Sequence, residues 1–291
     1  MRVLGFVALV AAVLVLAPSS APRSDDSPGE AMLIAVGDIA SCESSGDEET
    51  AALVDGLAGT IAILGDTVYE QGSGGEFAQC FEPSWGRHKA RTRPAVGNHE
   101  YRTPGAAGYF GYFGAAAGPP GGWYSYDLGA WHIVVLNSNC VEAGGCEQGS
   151  PQEEWLRADL ARSSARCTLA YMHHPRFSSG SHGGDPAVQA LWRTLAAARA
   201  DVLLAGHDHH YERFAPRGPA GRRRTRGLRQ FVVGTGGRGL NPTVRRAHGS
   251  ELRDTGRLGV LVLRLGASRY SWRFMTTPDG NVRDAGSTSC H

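Results

Sequence analysis

The strongest constraint on this 291-residue chain is a recurring pattern in which a short apolar run ends in glycine and then a residue able to bind a cation. Leu33-Ile34-Ala35-Val36-Gly37 leads into Asp38, and Ile61-Ala62-Ile63-Leu64-Gly65 leads into Asp66. Pro94-Ala95-Val96-Gly97 leads into Asn98 and His99, and Leu203-Leu204-Ala205-Gly206 leads into His207 and His209. Leu169-Ala170-Tyr171-Met172 leads into His173 without the glycine. Apolar runs this short, bounded by glycine or polar clusters, are expected to be buried strands. In open α/β sheets ligands gather outside the carboxyl ends of the strands, so these polar residues are expected to converge on one crevice. Glycine at the strand end lets the backbone turn sharply and approach closely.

Strands are expected at 32–36, 61–64, 132–136, 168–172, 202–205 and 231–233. Between them lie helical patterns at 47–57, at 151–163 with Ser150 as N-cap and Pro151 in the first helical position, and at 186–198 behind Asp185. Alternating strands and helices predict an α/β fold. Near the end, 259–265 and 268–276 are expected to pair as a hairpin around Gly266-Ala267. The glycine-rich stretches 72–75 and 105–121 are expected to be long surface loops. No internal repeat is present, and 31–291 is expected to form one domain.

At the N-terminus, Arg2 precedes an unbroken apolar run over 3–17, followed by Pro18-Ser19-Ser20-Ala21. A membrane-spanning helix needs about 20 apolar residues, so residues 1–21 read as a cleaved export signal rather than a stable membrane anchor. No cysteine follows the run to carry a lipid, and 22–30 reads as a disordered linker. The protein is therefore expected to be secreted. Lys plus Arg (29) nearly cancel Asp plus Glu (28), which removes the electrostatic footprint of a dedicated nucleic-acid binder. The sequence carries no signal for oligomeric state. Six cysteines in an exported chain are expected to form disulfides, and no CxxC pair suggests a structural zinc site. Fifteen pairings are formally open. Cys140 with Cys146 is the best local pair, and Cys42 with Cys80 and Cys167 with Cys290 are taken for the rest.

Carboxylate, amide oxygen and imidazole together suit zinc, manganese or iron, and the set is too large for one ion. Two metals roughly 3.5–4 Å apart form a clamp for in-line displacement at phosphorus and supply hydroxide at neutral pH.

The blocks Gly37-Asp38-Ile39-Ala40, Gly65-Asp66-Thr67-Val68-Tyr69, Gly97-Asn98-His99-Glu100, Met172-His173 and Gly206-His207-Asp208-His209 resemble, in order and spacing, those of the calcineurin-like metallophosphoesterases. The resemblance spans about 32–214, and the Gly-Asp-x-x-Tyr block is similar to that of the purple acid phosphatases. It implies a four-layer αββα sandwich of mixed sheets with the metal site at the carboxyl ends of the strands. Carried over residue by residue, it gives one metal to Asp38, Tyr69 and His209, and the other to Asn98, His173 and His207, with Asp66 bridging. It implies Fe(III) at the Tyr69 site and Zn, Mn or Fe(II) at the other. His99 would contact the phosphoryl oxygens without binding metal, and His182 would protonate the leaving alkoxide or orient the substrate; poor leaving groups require such an acid. The implied reaction is hydrolysis of small phosphomonoesters by metal-bound hydroxide, with no covalent phosphoenzyme.

The same metal pair also serves phosphodiesterases and nucleotide-cleaving enzymes, and a catalytically silent secreted binding protein could keep the fold. Ala40 departs from the family pattern, which has Gly or His there. His174 and His210 stand beside expected ligands, and because adjacent strand residues point to opposite faces, each is expected to be a bystander or a partner supporting a ligand rather than a ligand itself. Gly234-Thr235-Gly236-Gly237-Arg238-Gly239 has dinucleotide-fingerprint spacing, but Leu240-Asn241-Pro242 follows instead of a helix, so a turn is expected. Arg222, Arg223, Arg224, Arg226 and Arg229 are expected to form a solvated loop, and no Gly-x-Ser-x-Gly elbow is present.

Overall fold

The computed structural model describes Met1 and residues 30–291. Apart from Met1 and Glu30, the expected export signal and linker lie outside the described residues. Among the described residues no helix is long and apolar enough to cross a membrane.

In chain order the first half contains β1 (Ala31–Val36), β2 (Ala40–Ser41), α1 (Gly46–Asp55), β3 (Thr60–Leu64), β4 (Val68–Tyr69), α2 (Gly74–Glu76), β5 (Thr92–Ala95) and α3 (Ala107–Phe113). Next come β6 (Tyr124–Leu128), β7 (Trp131–Val135), α4 (Pro151–Arg162), β8 (Cys167–Tyr171), α5 (Gln189–Ala197) and β9 (Val202–Ala205). The chain closes with β10 (Tyr211–Phe214), β11 (Arg229–Val233), β12 (Ser250–Asp254), β13 (Gly259–Leu265), β14 (Arg269–Thr276) and β15 (Asn281–Ser289).

Two mixed sheets result. One has the order β15-β14-β13-β1-β3-β5, the other β12-β10-β11-β9-β8-β7-β6. Strands β1, β3 and β5 run parallel, as do β7, β8, β9 and β11, so the strands bearing the polar ends sit in parallel cores, the first flanked by antiparallel strands on one side and the second on both. Period-two alternation then sends each apolar run to both faces. Leu33, Ala35, Ala62 and Leu64 meet Ile133, Val135, Leu169 and Leu204 between the sheets. Their neighbours Ile34, Val36, Ile61 and Ile63 pack outward on α1 and the Phe77–Phe81 turn, while Val134, Ala170 and Leu203 pack on α4 and α5 through Leu156, Leu191 and Trp192. Strands buried on both faces need unbroken apolar runs, which is why these were legible. The layering is helix, sheet, sheet, helix.

Three elements differ from expectation. The stretch 105–121 is largely helical: α3 lies between 3-10 turns at Pro104–Ala106 and Gly114–Ala117. Its aromatic residues supply the reason, since Tyr109 and Phe113 are buried and the Phe113 ring meets those of Phe77 and Phe81. Helix α5 starts at Gln189, because Asp185 first closes a turn by accepting from the Ala187 N–H at 2.8 Å. The expected hairpin forms, but β14 then pairs with β15, an edge strand with no apolar periodicity. Its buried residue, Asp284, accepts from Tyr211, Arg213 and Trp272.

The disulfides are Cys42–Cys80, Cys140–Cys146 and Cys167–Cys290, as paired from the sequence. Cys167 opens β8 in one sheet and Cys290 follows β15 in the other, so this bridge staples the sheets across a separation of 123 residues. Replacing both by alanine is expected to cost about 2–5 kcal/mol in denaturant unfolding. A loss below about 1 kcal/mol would show that the staple contributes little.

Candidate metal centre

The sequence-predicted residues meet where the two parallel cores end. Asp38 lies just beyond β1, Asp66 beyond β3, Asn98 and His99 beyond β5, His173 beyond β8, and His207 and His209 beyond β9, while Tyr69 ends β4. Asp38, Asp66 and His207 have φ of 61°, 47° and 72°, a left-handed region that residues with a Cβ seldom adopt. Neighbouring strand ends hold them there. The Asp38 N–H donates to the Gly65 carbonyl at 3.2 Å, and the His207 N–H donates to Asp38 Oδ2 at 2.8 Å. Strain of this kind concentrates at functional sites. A Cβ at Gly97 would stand 2.1 Å from the Asp66 nitrogen and 2.2 Å from its Oδ1, so only glycine permits the approach.

Two donor sets flank one carboxylate. On one side the Tyr69 hydroxyl lies 2.8 Å from Asp38 Oδ1 and 3.2 Å from His209 Nε2, with His209 Nε2 3.4 Å from Asp38 Oδ1. On the other, His173 Nε2 lies 3.0 Å from Asn98 Oδ1 and 3.1 Å from His207 Nδ1. Asp66 Oδ2 reaches both, at 2.9 Å from the Tyr69 hydroxyl and 3.4 Å from His173 Nε2.

The electrostatics call for positive charge between these sets. Asp38 and Asp66 are buried, and their ion-pair partners are imidazoles: His209 for Asp38, His173 and His99 for Asp66. Burial alone would raise both carboxyls, but the imidazoles outweigh it and hold both below their usual range. Burial opposes charge on His173, yet Asp66 and Asp38 lift it to about 9. Burial and the charged His173 then drive His207 and His174 down to about 3. Burial, with Asp38 and Asp66, raises the Tyr69 phenol well above its ordinary value, so its ionisation needs a strong cation. His173 donates from Nδ1 to the Leu64 carbonyl at 2.9 Å, which turns Nε2 inward, as metal-binding histidines are commonly held. The donors present therefore fit a pair of cations.

His99 donates from Nδ1 to the Glu70 carbonyl at 2.8 Å, and its Nε2 lies 3.9 Å from Asp66 Oδ2. His182 donates from Nδ1 to Asp208 Oδ1 at 3.1 Å, and its ring centre lies 4.5 Å from that of His207. His174 lies beside the second donor set. Strand β8 ends at Tyr171, so strand alternation no longer governs its direction, and its ring lies 4.4 Å from His207. Ser138 Oγ holds its Nδ1 at 2.9 Å. His210 turns away, as expected, to Glu212 at 3.2 Å.

Several organising residues escaped the sequence reading. The buried Glu100 accepts backbone N–H groups from Gly97 at 2.6 Å, Thr67 at 2.7 Å and Asp66 at 3.0 Å, so one carboxylate ties together the turns after β3 and β5. Asp208 is buried and also binds the Ser178 hydroxyl. Both stand inside the quoted blocks, but sequence alone assigns them no partner. The Gly234–239 stretch is the expected turn. It carries Arg238 to the rim of a cleft of about 660 Å³, which also reaches Arg102, Glu70, His99, His182 and Asn241. Arg222, Arg223, Arg224 and Arg226 are exposed as expected, whereas Arg229 is half-buried against Glu251 and the Phe214 carbonyl.

With this geometry in view, the comparisons agree on a class. The model for calcineurin-like phosphoesterases matches residues 32–211, and the chain belongs to that family. Within it, purple acid phosphatases recur among the similar proteins. Purple acid phosphatase 21 of Arabidopsis thaliana is 37% identical over 100 residues, covering 32% of this chain and 22% of that protein. An uncharacterized protein of Mycobacterium tuberculosis is 30% identical over 146 residues, covering 42% of this chain and 28% of its own length. The chain thus spans less than a third of these curated relatives. The structure of a purple acid phosphatase from yellow lupin seeds superposes with a TM-score of 0.75 at 20% identity, covering 89% of this chain and 54% of that one, and so shares the fold.

Glu100→Ala would strand several buried N–H groups, each costing about 1–3 kcal/mol. Urea unfolding is expected to show a loss of at least roughly 3 kcal/mol. A change within about 1 kcal/mol would mean that Glu100 does not organise the site.

Proposed function

We propose that the protein is an exported dinuclear metallophosphatase that hydrolyses phosphomonoesters, with residues 1–21 as export signal and 31–291 as the catalytic unit. The observation that carries this reading is the position of Asp66 Oδ2, within 3.4 Å of donors from both sets. Asp38, Tyr69 and His209 would hold one ion, Asn98, His173 and His207 the other, and Asp66 both. The disulfides suit an oxidising compartment.

The ions would supply positive charge for the phosphoryl oxygens and an ionised water at neutral pH. The protein's own groups do the rest. With Nδ1 committed to the Glu70 carbonyl, His99 presents Nε2 to the phosphoryl group; burial holds the free ring below its ordinary value, so the proton on Nε2 would come with the dianionic ester. Asp208 fixes the Nδ1–H of His182, leaving Nε2 to carry the proton for the departing oxygen. As the water oxygen bonds to phosphorus, the ester P–O bond breaks and the leaving oxygen takes that proton. Phosphate and alcohol result.

We assign Fe(III) to the Tyr69 side, because a phenol raised by burial and by two carboxylates ionises only against a strongly acidic cation. The second ion would be Zn, Mn or Fe(II).

Asp66→Ala is expected to lower phosphomonoester turnover by roughly 10³-fold or more with any added metal, since it removes the shared ligand. Near-wild-type turnover would defeat the model. Native protein is expected to show a visible absorption band that Tyr69→Phe bleaches. Colourless, fully active protein holding only zinc or manganese would reject iron.

A further inference from the structure

We propose that Arg238 and Arg102 select phosphate esters whose leaving group carries a second anionic group, phosphate or carboxylate, and that Glu70 holds the two guanidiniums ready at the rim. The inference rests on the phosphoesterase reading above and names its substrate class.

Arg238 Nη2 lies 2.5 Å from Glu70 Oε1, and Arg102 Nη1 lies 3.4 Å from Glu70 Oε2 and 3.1 Å from the Glu70 carbonyl. That carbonyl also accepts from His99 Nδ1 at 2.8 Å, so the guanidiniums sit next to the group that faces the phosphoryl oxygens. Arg238 lies over the Tyr69 ring, 5.2 Å from its centre. Its backbone is tied to the metal-type residues themselves: the Arg238 N–H donates to the Asp38 carbonyl at 3.1 Å, and the Asn241 N–H to the His209 carbonyl at 2.9 Å. The position of Arg238 is therefore set by the centre and not by a free loop.

Charge and solvation give these guanidiniums a second task. Two of them share one carboxylate, which leaves one unit of positive charge on the rim. All three side chains are partly exposed, at 32% for Arg238, 44% for Arg102 and 41% for Glu70. Ion pairs this wet contribute little, so an incoming anion can displace the carboxylate from a guanidinium fork. Binding clefts are usually lined by apolar side chains, yet this one presents Leu240 and the Tyr69 ring among charged and polar ones. An apolar leaving group finds little to bury against there, whereas an anionic one meets planar, bidentate donors.

Calorimetric binding to the metal-loaded full chain tests this without turnover, using 3-phosphonopropionate against propylphosphonate. The carboxylate-bearing ligand is expected to bind roughly tenfold more tightly. That ratio should fall to about one in Arg238→Gln, fall part-way in Arg102→Gln, and rise in Glu70→Gln, which frees both forks. A wild-type ratio near one, or a ratio kept in both arginine variants, overturns the proposal. Turnover separates the two anions: 3-phosphoglycerate is compared with glycerol 3-phosphate, and fructose 1,6-bisphosphate with fructose 6-phosphate. A preference in either pair that is lost in Arg238→Gln supports the selection and says which anion is read. Hydrolysis of all four esters at equal kcat/KM sinks the selection and spares the phosphatase. Selective binding of the phosphonates with no hydrolysis of any ester sinks the phosphatase and spares the selection.

Discussion

One carboxylate oxygen, Asp66 Oδ2, stands between two sets of metal-type donors, and most of the surrounding structure serves to keep it there. A buried carboxylate is costly unless it is paired, and Asp66 has only imidazole and phenol beside it on one face and the His99 N–H on the other. Its φ of 47° is unfavourable for a residue with a Cβ, so the backbone must be held from outside. Glu100 does this through the Asp66 N–H, and Gly97 leaves the space that Asp66 occupies.

The same constraint explains the two-sheet architecture. Asp38, Asp66 and Asn98 come from the ends of β1, β3 and β5, and His173 and His207 from the ends of β8 and β9. Neither sheet supplies a complete set. The sheets must pack with their parallel cores ending together, and the apolar layer between them fixes that relation. The Gly37 N–H reaches the Val233 carbonyl at 2.9 Å across the join, and the Gly236 N–H reaches the Gly37 carbonyl at 2.9 Å. Packing, strain and ligand geometry are in this sense one problem.

How much was legible follows from the same physics. Strands buried on both faces must be apolar throughout, so β1, β3, β8 and β9 stand out in the sequence, and the polar residue after each marks the crevice. The convergence of Asp38, Asp66, Tyr69, Asn98, His173, His207 and His209 could be anticipated from that pattern together with the family resemblance. Edge strand β15 could not, because it is exposed along most of its length and its buried Asp284 works through hydrogen bonds rather than apolar burial. Helix α3 was hidden by its glycines, whose turn chemistry masked the aromatic packing of Tyr109 and Phe113. His174 lies past the end of β8, so strand alternation does not set where its ring goes. Glu100, Asp208 and Arg238 act through contacts between distant segments, which local pattern does not encode.

The central claim is that two cations share Asp66. Anomalous diffraction from crystals of the native protein tests it most directly. The account predicts two peaks roughly 3.5–4 Å apart, one among Asp38, Tyr69 and His209, the other among Asn98, His173 and His207, with the Asp66 carboxylate between them. A single peak, or two peaks that do not share Asp66, would contradict it.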